Sequence, residues 1–123
     1  MIESPFKGKT GLRRLINALY YSRDGFKSAY QHEDAIRMEV WSAMALIPLA
    51  LYLGNSAIAR AMMLASLILV IIVELINSSI EATVDHTSLE KHPLAKRAKD
   101  IGSAAVLLSL INLGVVWGLI VFG

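Results

Sequence analysis

Four polar side chains interrupt the most apolar part of this sequence at intervals typical of one helical face. They follow one another three, four and four residues apart: Glu74, Asn77, Glu81 and Asp85. These intervals place all four on the same side of a helix. An ionisable group inside an apolar membrane helix costs roughly 2.5–3.5 kcal/mol on insertion scales, so Glu74 needs a partner or a chemical role. The alternative to a chemical role is an acid that pairs with a neighbouring helix for structure alone.

Two chemistries suit this polar stripe, which begins inside the apolar run and ends at its boundary. Carboxylates near the boundary are suited to hold Mg²⁺, which prefers oxygen ligands and brings phosphates and waters with it. A carboxylate deeper in the run, such as Glu74, is suited to take a proton from a hydroxyl before that hydroxyl attacks phosphorus. The stripe is therefore a candidate functional site that suits either of these two chemistries.

A second acidic group lies at the start of an earlier apolar run and consists of Glu33, Asp34 and Glu39. Any of these carboxylates could complete a cation site with Glu81. Spacing alone favours a different interpretation, in which the acids begin a solvated helix and interact favourably with its dipole.

A basic cluster precedes the last apolar run and contains Lys96, Arg97 and Lys99, followed by Asp100. Its cations could bind phosphate, and a helix that begins near Asp100 would favour the same ligand. As a bare pattern, the cluster is typical of the basic flank of a membrane span.

Several other site types are excluded by the sequence. It contains no cysteine, no GxxxxGK[ST] phosphate loop and no kinase-type glycine loop. The three histidines do not have the spacing of a zinc site. The net charge of +2 is small and predicts no nucleic-acid partner.

The composition predicts a membrane protein that is helical throughout. Hydrophobic residues make up 55% of the chain and charged residues only 18%, with a mean hydropathy of +0.54. One domain over residues 1–123 is expected, with an amphipathic surface helix at about 11–30. Three transmembrane helices are predicted at about 34–53, 57–84 and 101–122, with a polar loop before the third.

The basic residues predict the orientation of these spans. Seven of them precede or open the first span, four lie between the second and third, and Arg60 alone lies near the turn between the first two. The positive-inside rule then places the N-terminus and the polar loop in the cytoplasm. No cleavable signal peptide is predicted, and the expected location is the inner (cytoplasmic) membrane.

Two runs of residues resemble the prokaryotic diacylglycerol kinase family. They are residues 74–85, ELINSSIEATVD, and residues 98–106, AKDIGSAAV. Further matches to the N-terminal landmarks of that family are Arg14, Ala18, Tyr21, Ser22, Gly25, Glu33 and Arg37. The resemblance covers nearly the whole chain and implies a homotrimer with active sites shared between neighbouring subunits. It also implies a MgATP-dependent lipid kinase that converts sn-1,2-diacylglycerol to phosphatidate.

The same resemblance implies a role for individual residues. Glu74 matches the catalytic base, Asn77 a polar residue beside the reacting groups, and Glu33 and Glu81 the metal ligands. Nucleotide contacts are implied for Arg14, Tyr21, Glu33, Glu81, Glu90, Lys91, His92, Lys99 and Asp100. Lipid-substrate contacts are implied for Arg14, Ala18, Ala35, Arg37, Glu39, Arg60, Glu74, Ser103 and Trp117.

The sequence leaves three other functions open. Relatives of the family phosphorylate undecaprenol, and the sequence around the pocket favours diacylglycerol because the opening of the first span and residues 97–103 look closer to that branch. A small cation-coupled transporter also uses a membrane-embedded glutamate, but three spans and the cytoplasmic cluster of charges argue against it. A non-catalytic oligomeric scaffold leaves the position of Glu74 unexplained.

Overall fold

The computed structural model describes residues 10–87 and 92–123. These residues form four helices and no strand: α1 (Gly11–His32), α2 (Asp34–Leu53), α3 (Ala57–Thr87) and α4 (Pro93–Phe122). By length and composition, α2, α3 and α4 are each able to cross a membrane. The predicted fold class, an amphipathic helix followed by three transmembrane helices, is confirmed. The chain is a membrane protein.

The amphipathic helix α1 is mostly exposed. It has no buried residue, and the side chains of Leu12, Leu15 and Leu19 are all exposed. Among the described residues no helix covers these three side chains, as expected of a helix that lies in the membrane interface. α1 begins at Gly11, whose φ of 70° is a left-handed conformation that glycine adopts without strain.

The central helix is α3, which packs against both α2 and α4. Its buried residues recur mainly at intervals of three and four: Ala59, Met63, Ser66, Leu67, Val70, Glu74, Asn77 and Ser78. This face is mostly apolar up to Val70 and polar from Glu74 onward. The polar stripe therefore lies in the packed face of the bundle.

Small residues and one indole bring α4 close to α3. The buried positions of α4 are Gly102 and Ser109, which allow two helix backbones to approach each other. Further along, Nε1 of Trp117 donates a hydrogen bond of 3.2 Å to the carbonyl oxygen of Met63. Oγ of Ser66 donates to the same carbonyl at 2.8 Å. The bond from Trp117 thus joins α4 to α3, whereas the bond from Ser66 lies within α3.

The turn between α2 and α3 is held by side chains that bond to its backbone. Oγ of Ser56 accepts a hydrogen bond of 3.0 Å from the amide of Ala59, as a helix N-cap does. Nε of Arg60 donates to the carbonyl of Gly54 at 3.0 Å. A side chain at Gly54 would collide with Arg60, so this close approach requires glycine.

The last helix begins at Pro93, earlier than the start of the predicted third span. Proline is favoured in the first turn because its missing N–H is not needed there. The side chain of His92 caps this turn by accepting a hydrogen bond of 3.1 Å from the amide of Leu94. The basic cluster consequently lies on the first turns of α4, where Lys96 and Asp100 form an i,i+4 ion pair of 2.6 Å.

Candidate active site

The polar stripe of α3 runs from the packed interior to the surface. Glu74 is 6% exposed and Asn77 is 7% exposed, whereas Glu81 is half-buried and Asp85 is exposed. Nδ2 of Asn77 donates a hydrogen bond of 3.2 Å to Oε1 of Glu81. The stripe therefore presents an inner carboxylate, an amide in the middle and an outer carboxylate that the amide orients.

Two carboxylates from the start of α2 join those of the stripe. Glu74 lies close enough to Glu81 and Glu33 for their charges to interact, and Glu39 interacts with Glu74 in the same way. Four carboxylates in one region repel one another unless protons or a cation neutralise part of their charge. Among the described residues, no group of three or more acids, histidines or cysteines has the geometry of a complete metal site. A cation bound here would therefore need further oxygen ligands besides these carboxylates.

Glu33 is placed by an elbow of one residue between α1 and α2. Its backbone is extended, with φ −119° and ψ 112°, and it follows the last residue of α1 directly. Nη1 of Arg37 donates to the carbonyls of Tyr30 and Gln31 at 2.8 and 3.0 Å. Arg37 also pairs with Asp34. This guanidinium bridges the end of α1 and the start of α2, and so sets the direction of Glu33.

Two substitutions of Arg37 distinguish a role in holding the elbow from a role that needs only positive charge. Arg37→Lys keeps the positive charge but loses the fork that reaches two carbonyls. If Arg37 acts through the elbow, the lysine variant should lose about 10-fold or more in kcat/KM, because small displacements of reacting groups have large kinetic effects. Arg37→Ala should lose a similar amount. A lysine variant with wild-type kinetics beside an impaired alanine variant would show that charge alone is needed, as in a contact with lipid headgroups.

A cleft of about 570 Å³ opens between α1 and α3, next to the stripe. Its wall combines apolar side chains such as Phe26 and Leu75 with polar ones such as Glu33 and Ser78. Glu74 lies beside Leu75 on α3 and is not part of this wall. A cleft with both characters suits an amphipathic molecule that has an acyl chain and a polar head.

Three buried polar atoms on α2 and α3, in or near the stripe, lack hydrogen-bond partners among the described residues. Within residues 10–87 and 92–123, three buried side-chain atoms have no hydrogen-bond partner: Oε2 of Glu39, Oδ1 of Asn77 and Oγ of Ser78. Buried polar atoms are nearly always satisfied, so such a group indicates a ligand or water site. Ser78 was not singled out in the sequence, although its position directly after Asn77 is a signal that could have identified it.

The basic cluster contributes one cation to the stripe. Nζ of Lys99 lies 2.6 Å from Oδ1 of Asp85, and its charge also interacts with Glu81. Asp100 pairs instead with Lys96. Lys99 is therefore the member of the cluster that lies over the outer end of the stripe.

The remaining predicted nucleotide contacts are spread more widely. Arg14 and Tyr21 are exposed on α1, and Arg14 lies roughly 27 Å along the helix from its last residue, His32. The Nδ1 atom of His92 is engaged in capping α4. Predicted contacts at Glu90 and Lys91 lie outside the described residues.

The predicted lipid contacts fall into two groups. Glu39 lies near Glu74, and Ser103 directly follows Gly102, which lies against Asn77. Ala35 and Arg37 lie in the first turn of α2, and Ala18 is exposed on α1. Arg60 lies fourteen residues before Glu74 on α3, roughly 21 Å away at 1.5 Å per residue. Trp117 contacts Met63, which like Arg60 lies in the N-terminal half of α3. The structure does not bring Arg60 and Trp117 together with Glu74, and it shows both bonded to backbone carbonyls.

The fold and the site are those of a small helical membrane protein with a carboxylate buried between its spans. The sequence model for the prokaryotic diacylglycerol kinase family matches residues 20–121. The chain belongs to this family, and the resemblance noted in the sequence is confirmed, as is the expectation of a kinase.

Relatives in three organisms match the chain over most of its length. The diacylglycerol kinase of Pseudomonas aeruginosa is 51% identical over 123 residues, which is all of both chains. The diacylglycerol kinase of Haemophilus influenzae is 47% identical over 113 residues, 92% of this chain and 96% of the relative. The diacylglycerol kinase of Escherichia coli K12 is 43% identical over 108 residues, 88% of each chain.

Proposed function

We propose that this protein transfers the γ-phosphate of ATP onto the free hydroxyl of sn-1,2-diacylglycerol and releases phosphatidate and ADP. The observation that carries this proposal is the buried carboxylate of Glu74 at the inner end of a stripe that leads to Glu81. The cleft next to the stripe is lined by apolar and polar side chains, which suits a lipid with a polar head. Family membership supports the same reaction, because the relatives are named diacylglycerol kinases.

Glu74 is the proposed general base. The lipid hydroxyl oxygen forms a bond to the γ-phosphorus, the bond from that phosphorus to the β–γ bridging oxygen breaks, and the hydroxyl proton passes to Glu74. A carboxylate in a region shielded from water suits this role because bulk water does not compete for the phosphoryl group. Asn77 lies one turn further out and orients the neighbouring carboxylate.

Glu33 and Glu81 are the proposed ligands of Mg²⁺. Magnesium is usually bound through one or two carboxylates together with substrate phosphates and waters, so two acids near the stripe fit it chemically. When bound, the ion offsets the negative charge of the phosphates. The charge of the ion would also reduce the repulsion among the carboxylates of this region, and the phosphates and waters would supply its remaining oxygen ligands.

ATP binding is assigned to charged and polar groups at the cytoplasmic end of the bundle. Lys99 supplies positive charge next to Glu81, and Arg14 supplies it from α1. Further contacts are proposed for Tyr21, Glu33, Glu81, Glu90, Lys91, His92 and Asp100. The lipid head and chains are proposed to contact Arg14, Ala18, Ala35, Arg37, Glu39, Arg60, Glu74, Ser103 and Trp117.

The working form is proposed to be a homotrimer with shared sites. Asn112 is exposed in the middle of α4, where a polar side chain that faces lipid is costly. A neighbouring subunit would give this amide a hydrogen-bonding partner. Arg14 and Glu33 lie at opposite ends of α1, which also favours a site to which two subunits contribute.

The protein is proposed to reside in the inner membrane with its N-terminus in the cytoplasm. The basic residues on α1 and at the start of α4 favour this orientation. ATP would then meet the stripe directly, because the outer end of the stripe and the basic cluster lie on the cytoplasmic side.

An acceptor comparison tests the proposal. Purified protein in mixed micelles would receive MgATP with either diacylglycerol or undecaprenol, and the phosphorylated lipids would be separated and quantified. Magnesium-dependent formation of phosphatidate is the expected result. Turnover with undecaprenol alone would keep the chemistry and overturn the acceptor, whereas folded protein that phosphorylates neither lipid would overturn the kinase assignment.

A further inference from the structure

Gly102 lies buried in α4, directly against the polar stripe of α3. A Cβ atom built on Gly102 would overlap Oδ1 of Asn77 and would lie 3.3 Å from Cγ of the same side chain. The three atoms nearest to that position all belong to Asn77. The Asn77 amide thus occupies the space that a side chain at position 102 would take.

The amide of Asn77 has one favourable orientation in this space. Its Nδ2 donates to Oε1 of Glu81 at 3.2 Å, and its Oδ1 is turned toward Gly102. The opposite orientation would place the amide oxygen against the carboxylate of Glu81, where two acceptors repel each other. Gly102 on one side and Glu81 on the other therefore hold the amide between them.

We propose that Gly102 is a positioning residue for phosphoryl transfer: the absence of a side chain there keeps Asn77 bonded to Glu81. The inference rests on the proposed role of Glu81 as a metal ligand. Partners that hydrogen-bond to a ligating carboxylate fix its direction, and their loss typically costs about 10–100-fold in metal affinity or activity. Gly102 acts on the metal site through Asn77, without contact with the ion.

A side chain at position 102 should disturb the bond between Asn77 and Glu81 more than it destabilises the fold. The atom that a new Cβ would displace is at the free end of the Asn77 side chain, which can rotate away without moving a backbone. Alanine is also a better helix former than glycine. Gly102→Ala should therefore remain folded in the membrane bundle while Asn77 loses its bond to Glu81.

Manganese binding tests this inference independently of turnover. Mn²⁺ takes the same oxygen ligands as Mg²⁺. Full-length protein in detergent micelles would be dialysed against Mn²⁺ and a non-hydrolysable ATP analogue, and the Mn²⁺ retained with the protein would be measured, because the analogue alone also binds Mn²⁺. Gly102→Ala should weaken Mn²⁺ binding about 10-fold or more. The matched control is Gly114→Ala in the same helix, where no atom lies within 4 Å of the added Cβ, and it should bind as wild type does.

A double variant shows whether the effect passes through Asn77. Asn77→Ala removes the side chain that Gly102→Ala would displace, so the two substitutions together should bind Mn²⁺ as weakly as Asn77→Ala alone. In the double variant the added Cβ at position 102 no longer overlaps Asn77, so this protein should fold and can serve as a reference.

Each contrary result has a separate meaning. Equal Mn²⁺ affinity in wild type and Gly102→Ala would overturn the positioning role. A further loss in the double variant beyond Asn77→Ala would overturn the route through Asn77. Wild-type protein that binds no Mn²⁺–nucleotide complex would overturn the proposed function itself, and this inference with it.

Discussion

Glu74→Gln protein is expected to lose lipid phosphorylation while it continues to bind ATP. Glutamine keeps the size and hydrogen-bonding capacity of the side chain but cannot accept the hydroxyl proton. Loss of a positioned general base typically lowers the rate by about 10²–10⁴-fold. Turnover is measured as phosphatidate formed in mixed micelles, and nucleotide binding is measured on the same preparation by equilibrium dialysis.

The thermal stability of Glu74→Gln shows whether a loss of turnover comes from unfolding. Because the substitution removes an ionisable group from the packed face of a membrane helix, thermal stability in micelles should not fall. Wild-type turnover in Glu74→Gln would contradict the base assignment. Loss of both turnover and nucleotide binding would contradict the placement of Glu74 at the lipid end of the stripe.

The second large effect is expected for Glu81→Gln. Glu81 is the outer carboxylate of the stripe, and it accepts the hydrogen bond from Asn77. Replacement of a directly ligating carboxylate should cost at least as much as loss of its partner, so kcat/KM for MgATP should fall by about 100-fold or more. The Mg²⁺ concentration that gives half-maximal activity should rise, whereas KM for the lipid should change little, because the lipid hydroxyl is assigned to Glu74.

Asp24→Asn provides the matched control for this loss of charge. Asp24 is an exposed carboxylate on α1 whose nearest cation, Arg23, is 3.6 Å away. Pairs of this kind contribute little in water, so the variant should retain wild-type kinetics and Mg²⁺ dependence. If Glu81→Gln and Asp24→Asn gave the same small effect, Glu81 would not be a ligand of the metal–nucleotide complex.

The stripe and the number of spans could be predicted because both depend on spacing along one helix. The intervals between Glu74, Asn77 and Glu81 fix a shared face for any helical backbone, whatever packs against it. Hydropathy likewise identifies long apolar helices without knowledge of their neighbours. Both features are local, and local patterns are what a single sequence expresses most clearly.

Contacts between helices could not be predicted in the same way. The contact between Gly102 and Asn77, and the bond from Trp117 to Met63, depend on how α3 and α4 approach each other. Spacing alone also left Glu33 as an ordinary helix start, because its proximity to Glu74 depends on the elbow that Arg37 holds. The position of Arg37 in the sequence does not show whether it hydrogen-bonds to carbonyls of α1 or is one of the basic residues that flank a membrane span.

The start of α4 illustrates a third limit, which concerns helix ends. Polar residues before an apolar run predict a loop when only hydropathy is considered. Pro93 in the first turn and the Lys96–Asp100 pair stabilise helix there instead, and this brings Lys99 to Asp85. The proposed nucleotide site therefore lies between two helices, closer to the stripe than a free loop would place it.

Transfer of radiolabel from [γ-³²P]ATP is the most direct test of the central claim. Purified wild-type protein in mixed micelles with Mg²⁺ and diacylglycerol should place the label in phosphatidate, with one labelled lipid formed for each ATP consumed. Label that accumulates only as inorganic phosphate, or ATP that remains intact in the presence of folded protein and diacylglycerol, would contradict the account.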